Sequence, residues 1–323
     1  MKLRDIAAVD AAFLDRLIDS YGFKPYRNYR ILSRRRQTTV MRAELDRILQ
    51  TPDHVAFVVE ENEGTAMVCG RPLAWDSQFF GIPMGRLDAL LRETGAPPSA
   101  LRAAVDGGVE RLRGLGIRHV AVKVDAADSV ALTVVEDAGF RLMDSLVTYI
   151  AHPKRPPPRR VKEVGIIRPF VSTDTDQVLE ITREAYQGFR GRFQVDPHLP
   201  RDRSDEFYIE WARKCCTGAM ADRIYVADDG QGHLFGWASV KKAEPVSSIG
   251  GATISSGSLG ACRPDRPGAY AGLIRAAAMD NYNAGVLTEA MTQSSNFSMV
   301  RVLEAVGAQY ARAEYTFHAW LGS

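Results

Sequence analysis

The sequence is poor in the residues that build metal centres, disulfide scaffolds and membrane spans. Its 323 residues hold four cysteines, Cys69, Cys215, Cys216 and Cys262, with neither paired-ligand spacing nor a disulfide pattern. The adjacent Cys215–Cys216 falls in a helical-looking run, YIEWARKCC, and suits a reducing compartment where thiols act as small buried hydrophobes. Six histidines are scattered with no i, i+4 pair on a helix, so no metal is expected. No stretch reaches the roughly 18 uninterrupted apolar residues of a membrane helix. Charge of one sign is also missing: 41 basic and 39 acidic side chains leave +2, with no overall pull toward nucleic acid or anionic lipid. The opening MKLRDIAAVDAAFLDRLID carries acids throughout and has no apolar signal core. It reads as an amphipathic helix, and the expected location is cytoplasmic.

What is present is ordinary globular composition, 46% apolar and 25% charged, in a length that suits two domains. The break between them is HPKRPPPRRVKE, where three consecutive prolines force extended backbone and basic residues keep it solvated. The expected organisation is a domain over 1–151, a linker over 152–163 and a second domain over 164–323.

The two halves end alike. In the first, the helix SALRAAVDGGVERLRGLG stops at Gly116, and a strand, IRHVAVKVD, follows. Then Asp128 caps the helix SVALTVVEDA, Gly139 stops it, and LMDSLVTYI is a final strand. In the second, AGLIRAAAMDNYNAG ends at Gly285 and leads to VLTEAMTQ. Asn296 caps FSMVRVLEAV, Gly307 stops it, and YARAEYTFHAWL closes the chain. Cap and stop glycine are 11 residues apart in both halves, and the two stops are 168 apart. Capping oxygens at one end and glycine at the other have separate physical causes, so their joint recurrence argues for an internal repeat. Strands alternating with crossing helices predict a twisted mixed sheet with helices on both faces.

The chemistry-bearing stretch is ISSGSLGACRPDRPGAYAGLIRAAAM, read as a strand, a Gly/Pro/Arg loop and a helix start. Successive N–H groups at a helix N-terminus, with arginine nearby, can hold a pyrophosphate. Gly268 would allow close backbone approach, and Arg263 and Arg266 supply charge. That loop, its helix, TQSSN and the terminal strand resemble the acetyl-CoA half of the GNAT acetyltransferase superfamily, most closely the branch containing dTDP-fucosamine acetyltransferase. LAWDSQFFGIPMGRL (73–87), EDAGFRLMDSLVTYIA, FRGRFQVDPHLP and FYIEWARK are similar to further segments of that branch. The resemblance implies two tandem GNAT-like α/β domains, each a twisted mixed β-sheet flanked by helices.

By that resemblance the donor is acetyl-CoA. Its contacts would come from Leu259, Gly260, Ala261, Arg263, Arg266, Gly268, Ala269, Tyr270 and Asn296, with Tyr315 as general acid. The family's loop pattern is altered here to Asp265-Arg-Pro-Gly268-Ala-Tyr270, and Tyr270 would crowd a pyrophosphate unless it points away. In the first half the matching stretch, LRETGAPPSAL, has two prolines that remove N–H donors and no basic residue in the turn itself, so that domain is expected not to bind CoA.

For the acceptor, Arg190 and Arg192 would clamp a diphosphate or form a solvated basic loop, and Gln293 would either contact CoA, as the resemblance implies for Asn296, or line the cleft. Asp196, His198, Asp205 and Glu206 are alternatives for the general base, or acids charging a helix start. Trp75, Phe79 and Phe80 either stack a sugar or anchor the core, and His318 is read as structural. The function implied is acyl transfer to a primary amine, first of all an amino sugar on a nucleotide. Another small amine or amino acid is an alternative, as is a non-catalytic binding module. Partners are expected to be small molecules, not nucleic acid or membrane, with the oligomeric state open.

Overall fold

The computed structural model describes residues 2–5, 10–62, 64–158, 165–266 and 268–322. The chain forms two compact units, one of Met1–Ser145 with Ala313–Ser323 and the other of Leu146–Arg312.

Unit 1 opens with β1 (Lys2–Asp5), not with a helix: the strand pairs antiparallel with β2 (Val55–Glu61). The expected amphipathic helix starts only at Ala11, because Asp10 accepts from the Ala12 and Phe13 amides and caps α1 (Ala11–Ser20) there. After α2 (Arg34–Leu49) and β2 come β3 (Gly64–Pro72), α3 (Ala74–Phe80), β4 (Met84–Arg92), α4 (Pro98–Gly114), β5 (His119–Asp125), α5 (Ser129–Asp137) and the start of β6 (Arg141–Ala151).

Side chains alternate cleanly along these strands. Ala56, Val58, Met67 and Cys69 bury under α1 and α2, whereas Val55, Val59, Ala66 and Val68 bury under α4. Period-two alternation with both faces covered is what a sheet between helix layers requires. Leu14, Leu17 and Ile18 of α1, all at most 1% exposed, each contribute about 2 kcal/mol by burial.

Unit 2 repeats the plan with β7 (Ile166–Pro169), α6 (Thr175–Tyr186), α7 (Arg192–Val195), α8 (Arg201–Cys216), β8 (Arg223–Asp228), β9 (Leu234–Lys242), α9 (Val246–Ile249), β10 (Ile254–Cys262), α10 (Gly268–Asn283), β11 (Leu287–Gln293), α11 (Phe297–Ala305) and the start of β12 (Gln309–Trp320). Val226, Trp237, Leu259 and Ala261 face α6 and α8; Tyr225, Ala227, Ala238 and Val240 face α10. The caps and stops stand where the sequence puts them. Asp128 accepts from the Ala131 amide and Asn296 from the Met299 amide. Gly139 and Gly307 take φ of 84° and 82°, a conformation that glycine adopts without steric cost.

Each half gives its closing strand to the other unit's sheet. Strand order in unit 1 is β1-β2-β3-β4-β5-β12 and in unit 2 it is β7-β8-β9-β10-β11-β6. Both are antiparallel except for one parallel pair, β4/β5 and β10/β11. Even the register recurs: Tyr315 lies opposite Val124, and Val147, 168 residues before Tyr315, lies opposite Thr292, 168 after Val124. The sequence had YARAEYTFHAWL closing the second half, but residues from Ala313 belong to unit 1. Of the expected linker, residues 159–163 lie outside the described residues, while Pro158 is docked by its carbonyl onto Arg275 of α10 at 3.1 Å.

Candidate functional site

In unit 2 the parallel strands β10 and β11 are paired only from Ile254↔Leu287 to Ser256↔Glu289. β10 nevertheless runs on to Cys262 and β11 to Gln293, so the two part into a fork. A register shift between Gly257 and Gly260 marks the same place on the β9 side, where a bulge re-aims the strand. Main-chain groups at this bulge have side-chain partners. The Ser239 hydroxyl donates to the Leu259 carbonyl (2.7 Å) and accepts from the Leu259 amide (3.0 Å). The Gly260 carbonyl accepts from the Tyr186 hydroxyl at 3.3 Å. Ala261 is buried and paired with Trp237.

The turn to α10 holds only part of the expected anion cradle. Arg263 is engaged elsewhere: its Nε donates to the Leu234 carbonyl, and its guanidinium binds Glu184 at 2.8 and 3.0 Å and Glu180 at 3.3 Å, both on α6. Arg266 is the exposed cation of the turn, over the Phe235 ring at 5.0 Å and 3.7 Å from Asp265. Gly268 begins α10, and the buried Ala269 donates its amide to the Arg266 carbonyl at 3.0 Å. Tyr270 turns inward along β10. A Cβ added to Gly260 would stand 2.8 Å from the Tyr270 hydroxyl, and burial pushes that phenol well above its ordinary range. Only glycine leaves room for this ring.

Of the acceptor residues, Gln293 reaches Arg190, donating Nε2 to its carbonyl at 3.0 Å. The Arg190 side chain is exposed, whereas Arg192 lies over the Phe193 ring at 4.4 Å. Asp196 is 2% exposed and accepts from the His198 amide at 3.0 Å, so it shapes its own turn. Asp205 pairs with Arg201 at 3.2 Å. Trp75, Phe79 and Phe80 pack on one another in α3, with Phe80 buried. His318 is buried in unit 1, its ring 4.4 Å from that of His119. Tyr315 also belongs to unit 1 and packs against its α4-side core.

Two features of unit 2 were not anticipated. One is an aromatic wall from α6 and α8: Tyr186 stacks on Tyr208 at 4.3 Å and 14°, and Tyr208 on Trp211 at 6.4 Å and 11°. Trp211 Nε1 donates to Ser258 Oγ of β10 at 3.3 Å. Burial raises the Tyr186 phenol well above the usual range, which keeps it a protonated donor. The other is Glu289 at the root of the fork, where Oε1 accepts from Ser256 Oγ at 2.9 Å. A signal for part of the wall did exist: Tyr186-Gln-Gly188-Phe189, at the end of α6, resembles Tyr21-Gly22-Phe23 after α1, with one residue inserted.

Unit 1 has the matching fork, its β4/β5 pairing ending at Leu87↔Val122, but its own side chains close it. Arg27 grips Asp125, the last residue of β5, through both terminal nitrogens. Arg92, the last residue of β4, binds the α5 cap Asp128 at 2.7 Å. Both guanidinium carbons lie 5.4 Å from the Phe23 ring centre. Tyr21 is raised out of its usual range by burial first and the Asp128 charge second. At the head of α4, Pro97 and Pro98 remove two N–H donors. Among the described residues, the turn that leads from this fork into α4 offers fewer backbone donors than a cradle for an anion needs.

No family model matches the chain. One curated relative, the spore coat polysaccharide biosynthesis protein SpsD of Bacillus subtilis, is 26% identical over 157 residues. The match covers 46% of this chain and 48% of that protein, so the chain aligns with about half of its length. A GCN5-related N-acetyltransferase from Sphaerobacter thermophilus superposes with TM-score 0.64 at 16% identity, covering 98% of this chain and 95% of that one. A tandem GNAT protein of the clavulanic acid pathway gives 0.53 at 15%, covering 100% and 99%. The glucosamine N-acetyltransferase region of a fungal β-N-acetylglucosaminidase gives 0.62 at 13%, covering 98% of this chain and 38% of that one. The fold is thus that of two GCN5-related N-acetyltransferase (GNAT) domains in tandem.

Proposed function

We propose that the protein transfers an acetyl or other acyl group from acyl-CoA to a primary amine, with unit 2 (146–312) contributing the donor domain and unit 1 (1–145 with 313–323) a degenerate partner. The observation that carries this reading is the asymmetry of the forks. Unit 2 leaves the β10 edge unpaired by β11 beyond Ser256, with exposed Arg266 and the start of α10 after it. Unit 1 fills the same place with Arg27, Arg92 and Phe23. A β-strand edge that has lost its neighbour is a receptor for the amides of an extended ligand, and a helix start beside an arginine suits its phosphates. Leu259, Gly260, Ala261, Arg266, Gly268, Ala269, Tyr270 and Asn296 would hold the donor, and the thioester would supply the activated acyl carbon. Arg263 is left out because two α6 glutamates hold it.

An amino sugar is the acceptor class favoured, by the resemblance to dTDP-fucosamine acetyltransferase and by the polysaccharide role of SpsD. Calorimetric titration with acetyl-CoA tests the donor assignment: one micromolar site that Gly268→Trp abolishes is expected. One observation favours a non-catalytic binding module instead, the Tyr270 ring lying on Gly260. Failure of wild type to bind any acyl-CoA, with binding appearing in Tyr270→Ala, would establish that reading.

A further inference from the structure

Glu289 is the last β11 residue paired across to β10, and its partner Ser256 donates to it. In-register residues of parallel strands point to the same face. The other face is fixed by Thr288, which accepts from Asn281 of α10 at 3.0 Å, and by Ala290, which packs on Leu303 of α11. Glu289 and Ser256 therefore face α6 and α8. Two residues along β10 on that face, Ser258 accepts from Trp211. Two further on, the Gly260 carbonyl accepts from Tyr186. A half-buried carboxylate and two half-buried hydroxyls thus border a wall of near-parallel rings, all within unit 2.

We propose, resting on the acyl-transfer reading above, that this is the acceptor site. It takes a cyclic primary amine of the hexosamine type, with Glu289 binding the ammonium group and removing one of its protons. Aromatic side chains suit the apolar C–H groups of a sugar ring, serine hydroxyls suit its hydroxyls, and a carboxylate pairs with an ammonium ion. In the proton step one N–H bond breaks and its electron pair stays on nitrogen as the lone pair. One O–H bond forms on the Glu289 carboxylate, and that proton then passes to solvent. Of the acids expected from sequence, Asp196 and Asp205 are committed to their own turn and to Arg201, and Glu206 is exposed on α8.

The test is titration of glucosamine and of glucose into the full chain. Wild type should prefer glucosamine by about tenfold or more, the worth of one charge-assisted hydrogen bond. Glu289→Gln should erase the preference, Ser256→Ala should reduce it, and Trp211→Ala should weaken both sugars alike. Binding of neither sugar, equal binding of both, or a preference that survives Glu289→Gln and Ser256→Ala would overturn the assignment. A separate titration with acetyl-CoA keeps the two ideas apart, since its failure would overturn the donor reading instead.

Discussion

Tyr315 lies directly opposite Val124 in the sheet of unit 1, and it is the closing strand of the other half, through Val147, that meets Thr292 in unit 2. Within unit 2, Tyr186 and Tyr270 stand at the fork, on either side of Gly260. Tyr315→Phe and Tyr186→Phe should therefore separate. We expect the Tyr186 variant to lose about tenfold in acetyl transfer, as removal of a hydrogen bond at a reacting site does, and the Tyr315 variant to change by less than about twofold. Thiol release from acetyl-CoA with glucosamine as acceptor measures both.

The closed fork of unit 1 has a stoichiometric consequence. Calorimetry should find one acetyl-CoA site per chain, not two. Asp125→Asn leaves Arg27 facing a neutral partner and should cost about 2 kcal/mol in urea unfolding, without adding a second site.

The paired thiols of α8 should be inert near neutrality. Burial pushes the Cys216 thiol up to about 11, with Cys215 beside it adding to the effect, and burial raises Cys215 too. At pH 8 only about one Cys216 in a thousand is thiolate. Iodoacetamide labelling followed by mass spectrometry should show slow modification of Cys216 that climbs about tenfold per pH unit toward pH 11.

Acid should erase one identifiable increment of stability. The Arg168 guanidinium holds the Asp174 carboxyl below its usual range, with the Val171 amide helping. A carboxyl lowered in the folded state contributes stability above its unfolded pKa of about 3.9, and loses it as pH falls through the folded value. The Tm gap between wild type and Asp174→Asn should be full near pH 6 and vanish in strong acid.

Much of the fold was legible because its signals are local. An Asp or Asn oxygen caps a helix by reaching an amide three residues on, and a glycine ends it by taking positive φ. Asp128, Asn296, Gly139 and Gly307 therefore marked the repeat without any knowledge of what packs on them. The β10 loop and helix, with Gly260 and Gly268, were legible in the same way. The start of α1 was misplaced because alternation and helical period overlap in the first ten residues, and pairing with β2 decided for a strand.

Tertiary structure alone decided the rest. Which sheet a closing strand joins depends on partners more than a hundred residues away, so exchange of β6 and β12 leaves no local trace. A side chain's partners are likewise non-local: Arg263 went to α6, Arg27 closed the first fork, and Ser256 brought Glu289 to the root of the second. The sequence determined which elements form, through interactions spanning a few residues. Only packing across the sheets determined which charges remain to meet a ligand, because a charge is matched by proximity in space and not by spacing along the chain.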